Sequence, residues 1–211
     1  MKFETVLSLV REEPFFETGL LLAGDVDSND VRRQLSRWVR RGRICQLRRG
    51  LYTLAPPYRN MTPHPFLTAN ALVIGSYVSM QSALAFYGLI PEYTPRTLSV
   101  TTQRSSQRDG GFHFHHLAAH LFFGYQLLEA SPGQRAFVAS PEKALLDLAH
   151  LTPDSDSSNY LQELRLQNLE RLEVQRLHEY ADRAGKPKWK RVARKIEALL
   201  EREKAEYEEL E

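Results

Sequence analysis

Apolar residues at the start of the chain recur at helical spacing. Phe3, Val6, Leu7, Leu9 and Val10 predict a helix over residues 2–12, and Pro14 marks the break after it. A second, shorter apolar segment covers residues 15–23, with Gly24 as its stop. Asp27, Ser28, Asn29 and Asp30 follow as a run of N-cap types, with Asp30 placed where its charge suits a helix dipole. They predict a third helix from about Ser28 to Arg41, with Gly42 ending it. At 100° per residue, Val31, Leu35, Trp38 and Val39 fall within an arc of about 100°, which is a core stripe. Asn29, Arg33, Ser36, Arg37 and Arg40 fall on the opposite side. Two short strands, residues 44–47 and 51–54, are joined through Arg48-Arg49-Gly50, where glycine supplies the positive φ of a tight hairpin. A helix with a basic outer face, followed directly by a hairpin with a basic tip, is the order of a winged helix-turn-helix.

The remainder alternates less regularly. Residues 55–65 hold four prolines, Pro56, Pro57, Pro63 and Pro65, and read as a linker or a docking turn. Helices are predicted over 66–74 and 79–87, with Gly75 and Gly88 as stops. Strands follow over 96–101, 112–117, 122–127 and 134–138, with a polar loop over 103–111. Ser140 and Pro141 are a cap and a first-turn proline, and Ala144, Leu145, Leu146, Leu148 and Ala149 make the helix they open a buried one. Residues 152–158 form a polar, acidic loop. Two or three helices complete the chain over 161–210, with a break at Gly185-Lys186-Pro187. The expected class is α+β: a winged helix over residues 1–56, a linker over 57–65, and a mixed α/β domain over 66–151 with a helical end over 152–211.

Charge sharpens this picture. The 211 residues carry 28 Lys+Arg and 26 Asp+Glu, a net charge of only +2. Residues 31–50, however, hold eight arginines and no acid or lysine: Arg32, Arg33, Arg37, Arg40, Arg41, Arg43, Arg48 and Arg49. The remaining residues therefore sum to −6, with acids at Asp25, Asp27 and Asp30 before the block and at Glu206, Glu208, Glu209 and Glu211 after it. A solvated helix face is the ordinary reading of a charge run. A dense run of one cation repels itself unless an anion is expected, and the planar arginine fork binds phosphate or a guanine edge bidentately where lysine cannot. Double-stranded DNA is the partner this implies. Its expected contacts are Ser28, Asn29, Arg32, Arg33, Ser36, Arg37, Arg40, Arg41, Arg43, Arg48 and Arg49.

Other chemistry finds less support. The lone cysteine, Cys45, leaves no internal disulfide and reads as a half-buried strand residue. Together with an N-terminus lacking a signal-peptide pattern and the absence of a membrane-length apolar run, it suggests a cytoplasmic protein. Trp38 and Tyr52 read as core. His113 and His115 share a strand face, with His116 and His120 nearby, but Asp109 is the one acid or thiol within ten residues of His113 and His115. Solvent-side or phosphate-touching histidines are favoured over a zinc enzyme. Gly75-Ser76 lacks the paired carboxylates a nucleotidyltransferase needs, Ser82 lacks a nucleophile elbow, and no phosphate-binding glycine loop occurs. No enzymatic activity, metal or cofactor is assigned. Lys188, Lys190, Arg191, Arg194 and Lys195 oppose the dipole of the last helix, which either an anionic partner such as the same DNA or nearby glutamates would relieve.

Trp38-Val39-Arg40-Arg41-Gly42-Arg43-Ile44, followed by Leu47-Arg48-Arg49-Gly50-Leu51-Tyr52, resembles the winged helix of AbiEi-like antitoxins. These are the transcription-regulator halves of bacterial type IV toxin–antitoxin and abortive-infection systems. Ser82-Ala83-Leu84, Tyr87-Gly88-Leu89-Ile90 and the segment Pro141-Glu142-Lys143-Ala144-Leu145-Leu146-Asp147-Leu148 are similar to that family's second domain. The resemblance covers residues 1–151 and gives little support beyond Asp154. It implies an autorepressor that binds inverted repeats in its own promoter and counters a nucleotidyltransferase toxin. On that basis Asn29, Arg33 and Arg37 read bases, while Arg40, Arg41, Arg43, Arg48 and Arg49 touch phosphate or form the wing. Ser82 and Asp147 are expected to be structural, as helix caps and core-rim groups. Direct capture of the toxin by the helical end, a regulator unconnected with a toxin, and a histidine-based metalloenzyme are the competing readings.

Overall fold

The protein is α+β, and a computed structural model describes residues 2–23, 26–91 and 94–208. The expected stop at Gly24, the acidic Asp25, Glu209 and Glu211, and the expected helix end at residue 210 lie outside the described residues. The chain divides into two units, Met1–His64 and Pro65–Glu211.

In the first unit, α1 (Phe3–Val10) turns Phe3, Val6 and Val10 inward. It is shorter than residues 2–12: Arg11 is its C-cap, and the Arg11 and Glu12 side chains beyond the helix meet the Asn60 side chain. Residues 15–23 differ from the single apolar segment expected. They form a two-residue strand, β1 (Phe16–Glu17), and a one-turn helix, α2 (Thr18–Leu21). The reason is a partner distant in sequence: Phe16 pairs with Tyr52 and stacks on its ring at 5.7 Å. The Thr18 N–H then donates to Gly50 O at 2.9 Å.

Helix α3 (Ser28–Arg40) is capped by Asp27, whose carboxylate accepts from the Asn29 and Asp30 N–H groups. Its end shows why Gly42 is needed. Gly42, at φ +64°, donates to Val39 O, and Arg43 donates to Trp38 O, the paired bonds that close a helix through a left-handed residue. Strands β2 (Ile44–Arg48) and β3 (Leu51–Leu54) form an antiparallel hairpin with a bulge between Gln46 and Arg48, and β1 adds to the far side of β3. Val31, Leu35 and Trp38 meet Phe3, Ile44, Tyr52 and Leu54 in one core. Trp38 meets Phe3 edge to face at 5.3 Å. Cys45 is exposed rather than half-buried, because alternation along β2 sends Ile44 inward and Cys45 out. Within residues 57–64, Tyr58 packs edge to face on Phe3 at 5.1 Å, so this segment docks on the first unit instead of hanging free.

The second unit is built on a six-stranded mixed sheet. In chain order it comprises α4 (Pro65–Leu72), β4 (Ser76–Val78), α5 (Met80–Phe86), β5 (Thr97–Thr101), β6 (Ser106–Arg108), β7 (Phe112–His116), β8 (Tyr125–Ser131) and β9 (Gln134–Ala139). The strand order is β6-β7-β5-β4-β9-β8. Two pairings are parallel, β5 with β7 and β4 with β9, and the others are antiparallel. The short strands β4 and β6 occupy stretches expected to be a helix break and a loop. Helix α6 (Pro141–Leu151) opens on Ser140, whose hydroxyl accepts from the Lys143 N–H, and eight of its eleven residues are buried. Helices α7 (Ser158–Glu163), α8 (Val174–Ala184) and α9 (Pro187–Glu208) complete the chain. Gly185, at φ +64°, ends α8 where the Gly-Lys-Pro break was expected. No helix of the described residues is long and apolar enough to cross a membrane.

Candidate nucleic-acid interface

The sequence-expected contacts separate into groups once α3 is folded. Arg32, Arg33, Ser36, Arg37 and Arg40 line one concavity of about 410 Å³ on its outer face. All five are exposed, while Leu35 and Trp38 on the opposite face are 1% exposed. The core stripe thus orients the helix, and the guanidinium groups follow by periodicity. Asn29 is exposed and Ser28 half-buried at the N-terminal end.

Acidic neighbours hold part of this face. Asp30 pairs with Arg33, and both side chains are about two-thirds exposed (69% and 67%). An ion pair so open to water contributes at most about 1 kcal/mol, so a phosphate or base edge can displace the carboxylate at little cost. Arg40 donates back to Ser36 O at 3.4 Å. Arg41 is the exposed C-cap of the helix.

The hairpin arginines are positioned differently. Arg43 is half-buried with its guanidinium over the Phe3 ring at 4.8 Å, a cation–π contact that turns it toward the core. Arg48 is half-buried and reaches Glu17 at 3.3 Å. Arg49, at the turn, is exposed. Sequence periodicity could not separate Arg43 and Arg48 from the others, because their partners Phe3 and Glu17 lie on other elements.

The basic start of α9 proves to be internally engaged. Lys188 donates to Thr152 O at 2.6 Å, Lys190 pairs with Asp182, Arg191 with Asp156, and Lys195 donates to Asp156 O at 2.6 Å. Arg191 holds the Asp156 carboxyl below its ordinary range through their hydrogen bond. The acidic loop and α8 therefore relieve the dipole conflict. Neither an outside anion nor glutamates along the same helix are required for these four residues.

Lys143 and Asp147 of α6 anchor a buried polar cluster. Asp147, fully buried, accepts from Ser79 Oγ at 2.7 Å and Tyr77 OH at 3.0 Å and pairs with Lys143, also fully buried. The ammonium group sits 5.2–5.5 Å from the rings of Tyr77, Phe123 and Trp189. Burial pushes the Lys143 ammonium below its usual range, against the pull of Asp147. Burial also raises the Tyr77 hydroxyl, with the Asp147 charge adding to it. Asp147 is thus a core-centre group and not a rim residue. Ser82 accepts from the Leu98 N–H at 2.9 Å and donates to Arg96 O at 3.0 Å, tying α5 to β5 instead of capping a helix. His116 Nδ1 lies 3.1 Å from Gln103 O, and no group of three or more His, Cys, Asp or Glu among the described residues could hold a metal ion.

These features define a two-unit α+β protein in which one short helix presents a cationic, core-anchored face. No protein-family model matches the chain, and no curated protein matches it in sequence. Among solved structures, the Rv2827c protein of Mycobacterium tuberculosis is similar in fold, with a TM-score of 0.56 and 18% sequence identity over 90% of this chain and 74% of that one.

Proposed function

We propose that the protein is a DNA-binding transcriptional autorepressor and the antitoxin of a bacterial toxin–antitoxin pair of the AbiEi-like kind, countering a nucleotidyltransferase toxin. In this reading the first unit is a winged helix-turn-helix: α3 enters the major groove and the β2–β3 hairpin is the wing. The observation that carries it is the concave face of α3, where four arginines and Ser36 are exposed opposite a buried stripe. Asn29 and Arg33, in the N-terminal half of α3, and Arg37, in its last turn, are the base readers. Arg40, Arg41 and Arg49 are the phosphate contacts, joined by Arg43 and Arg48 if DNA draws them from Phe3 and Glu17.

A gel shift of the full chain on the duplex upstream of its own gene tests this. With about five phosphate contacts per protomer, log K falls against log salt with a slope near −5. Arg37→Ala costs about 1–3 kcal/mol and relaxes sequence preference, whereas Arg49→Ala weakens all sequences alike and reduces the slope by about one. A salt-independent shift, or no shift, overturns the reading. The antitoxin half is tested by co-expression with a neighbouring nucleotidyltransferase gene, whose growth arrest the protein relieves.

A further inference from the structure

A cleft of about 340 Å³ opens in the second unit between α7, the loop after it and the second half of α9. That volume is within the range of small-molecule sites. Leu161 and Leu169, both buried, form its floor, and the half-buried Leu166 and Leu199 line it. Lys195 and Arg202 also line it. They stand seven residues apart on α9, so two turns of helix, about 10 Å, separate them along one face, with Ala198 and Leu199 between.

This surface is built with some care. Lys195 is half-buried and held in place by Asp156 O and by Ser158 Oγ at 3.4 Å. The facing loop passes through two non-glycine residues in the left-handed region, Arg165 (φ +49°) and Asn168 (φ +52°), a conformation L-residues adopt at a cost. Asn168 is anchored in it by a hydrogen bond from its amide to Gly88 O at 2.7 Å, and Gln167 N–H donates to Leu89 O at 3.0 Å. Glu203 is the one acidic residue among the described residues lining the cleft.

An apolar floor whose walls carry Arg165, Lys195 and Arg202 against Glu203 matches a ligand that is itself apolar along its length and anionic at its head. From this charge complementarity we infer that the cleft binds a small amphipathic carboxylate of the medium-chain fatty-acid type. Its chain lies on Leu161, Leu166, Leu169 and Leu199. Its head meets the exposed Arg202 fork, while Lys195 stays with Asp156 O and Ser158 Oγ. The inference does not depend on the DNA reading.

Titration calorimetry of the full chain with sodium decanoate, kept below its micelle concentration, tests the assignment. One decanoate binds per chain, and octanoate, two methylenes shorter, binds about tenfold more weakly. Decanol, which lacks the charge, binds at least about fivefold more weakly than decanoate. Arg202→Gln, at an exposed position, weakens decanoate by a similar factor. Ala198→Trp, also at an exposed position, fills the cleft and abolishes binding while the circular dichroism spectrum is unchanged. No saturable binding of decanoate, equal binding of decanol, or undiminished binding by Ala198→Trp overturns the inference.

Discussion

Lys143 and Asp147 show how context changes the worth of one residue pair. Four apart on a solvated helix, such a pair contributes a few tenths of a kcal/mol. Here both are fully buried, and the desolvation of each charge is offset by the other, by Tyr77 and Ser79, and by three aromatic rings around the ammonium group. Lys143→Met leaves the Asp147 charge without its cation and destabilises the second unit by about 3–5 kcal/mol, read as a lower urea midpoint. The double variant Lys143→Met/Asp147→Leu removes both charges and recovers a large part of that loss. The spacing of the two residues was visible in the sequence, but their burial was not. Tyr77, Phe123 and Trp189 come from three separate stretches of chain, and no local pattern announces that they enclose α6. The α3 arginines are the opposite case, since a 3.6-residue period alone placed Arg33, Arg37 and Arg40 opposite Leu35 and Trp38.

At the scale of elements, long amphipathic helices were legible and the shortest strands were not. Strands β1, β4 and β6 have two or three residues each, too few to show alternation, and exist because a neighbour offers its backbone. The approach to β8 illustrates a second kind of constraint. Gly124, at φ +73°, precedes that strand, and a Cβ there would lie 2.9 Å from the Tyr180 ring and 3.1 Å from Lys143 Cγ. Gly124→Ala is therefore both strained and overpacked, and costs about 2–4 kcal/mol in thermal or urea unfolding. Gly133→Ala, at φ +72° with open space around it, serves as the control and costs only the backbone strain of about 1–2 kcal/mol. The basic start of α9 belongs to this scale too. Judged alone it fights its dipole, and the loop bearing Asp156, with Asp182 on α8, resolves the conflict.

At the scale of the whole molecule, the division between Met1–His64 and Pro65–Glu211 makes a direct prediction. A fragment of residues 1–64 retains its own core and unfolds cooperatively, and on the proposed function it keeps the salt slope of the full chain. A fragment of residues 1–56 loses Tyr58 from Phe3 and Asn60 from Arg11 and Glu12, and unfolds at a lower temperature. Equal melting temperatures would show that the proline-rich segment adds nothing to the first unit. By itself the sequence determined the two main helices of that unit, the hairpin after them, the capped α6 and the placement of the arginines on an outward face. Those are local matters of period, capping and turn chemistry, which need no knowledge of the rest of the chain. Only the tertiary structure decided that Arg43 turns to Phe3, that the basic start of α9 is internally paired, and that Asp147 lies at the centre of a core. Each of those outcomes depends on a partner dozens of residues away, and the energy of a charge is set by what surrounds it.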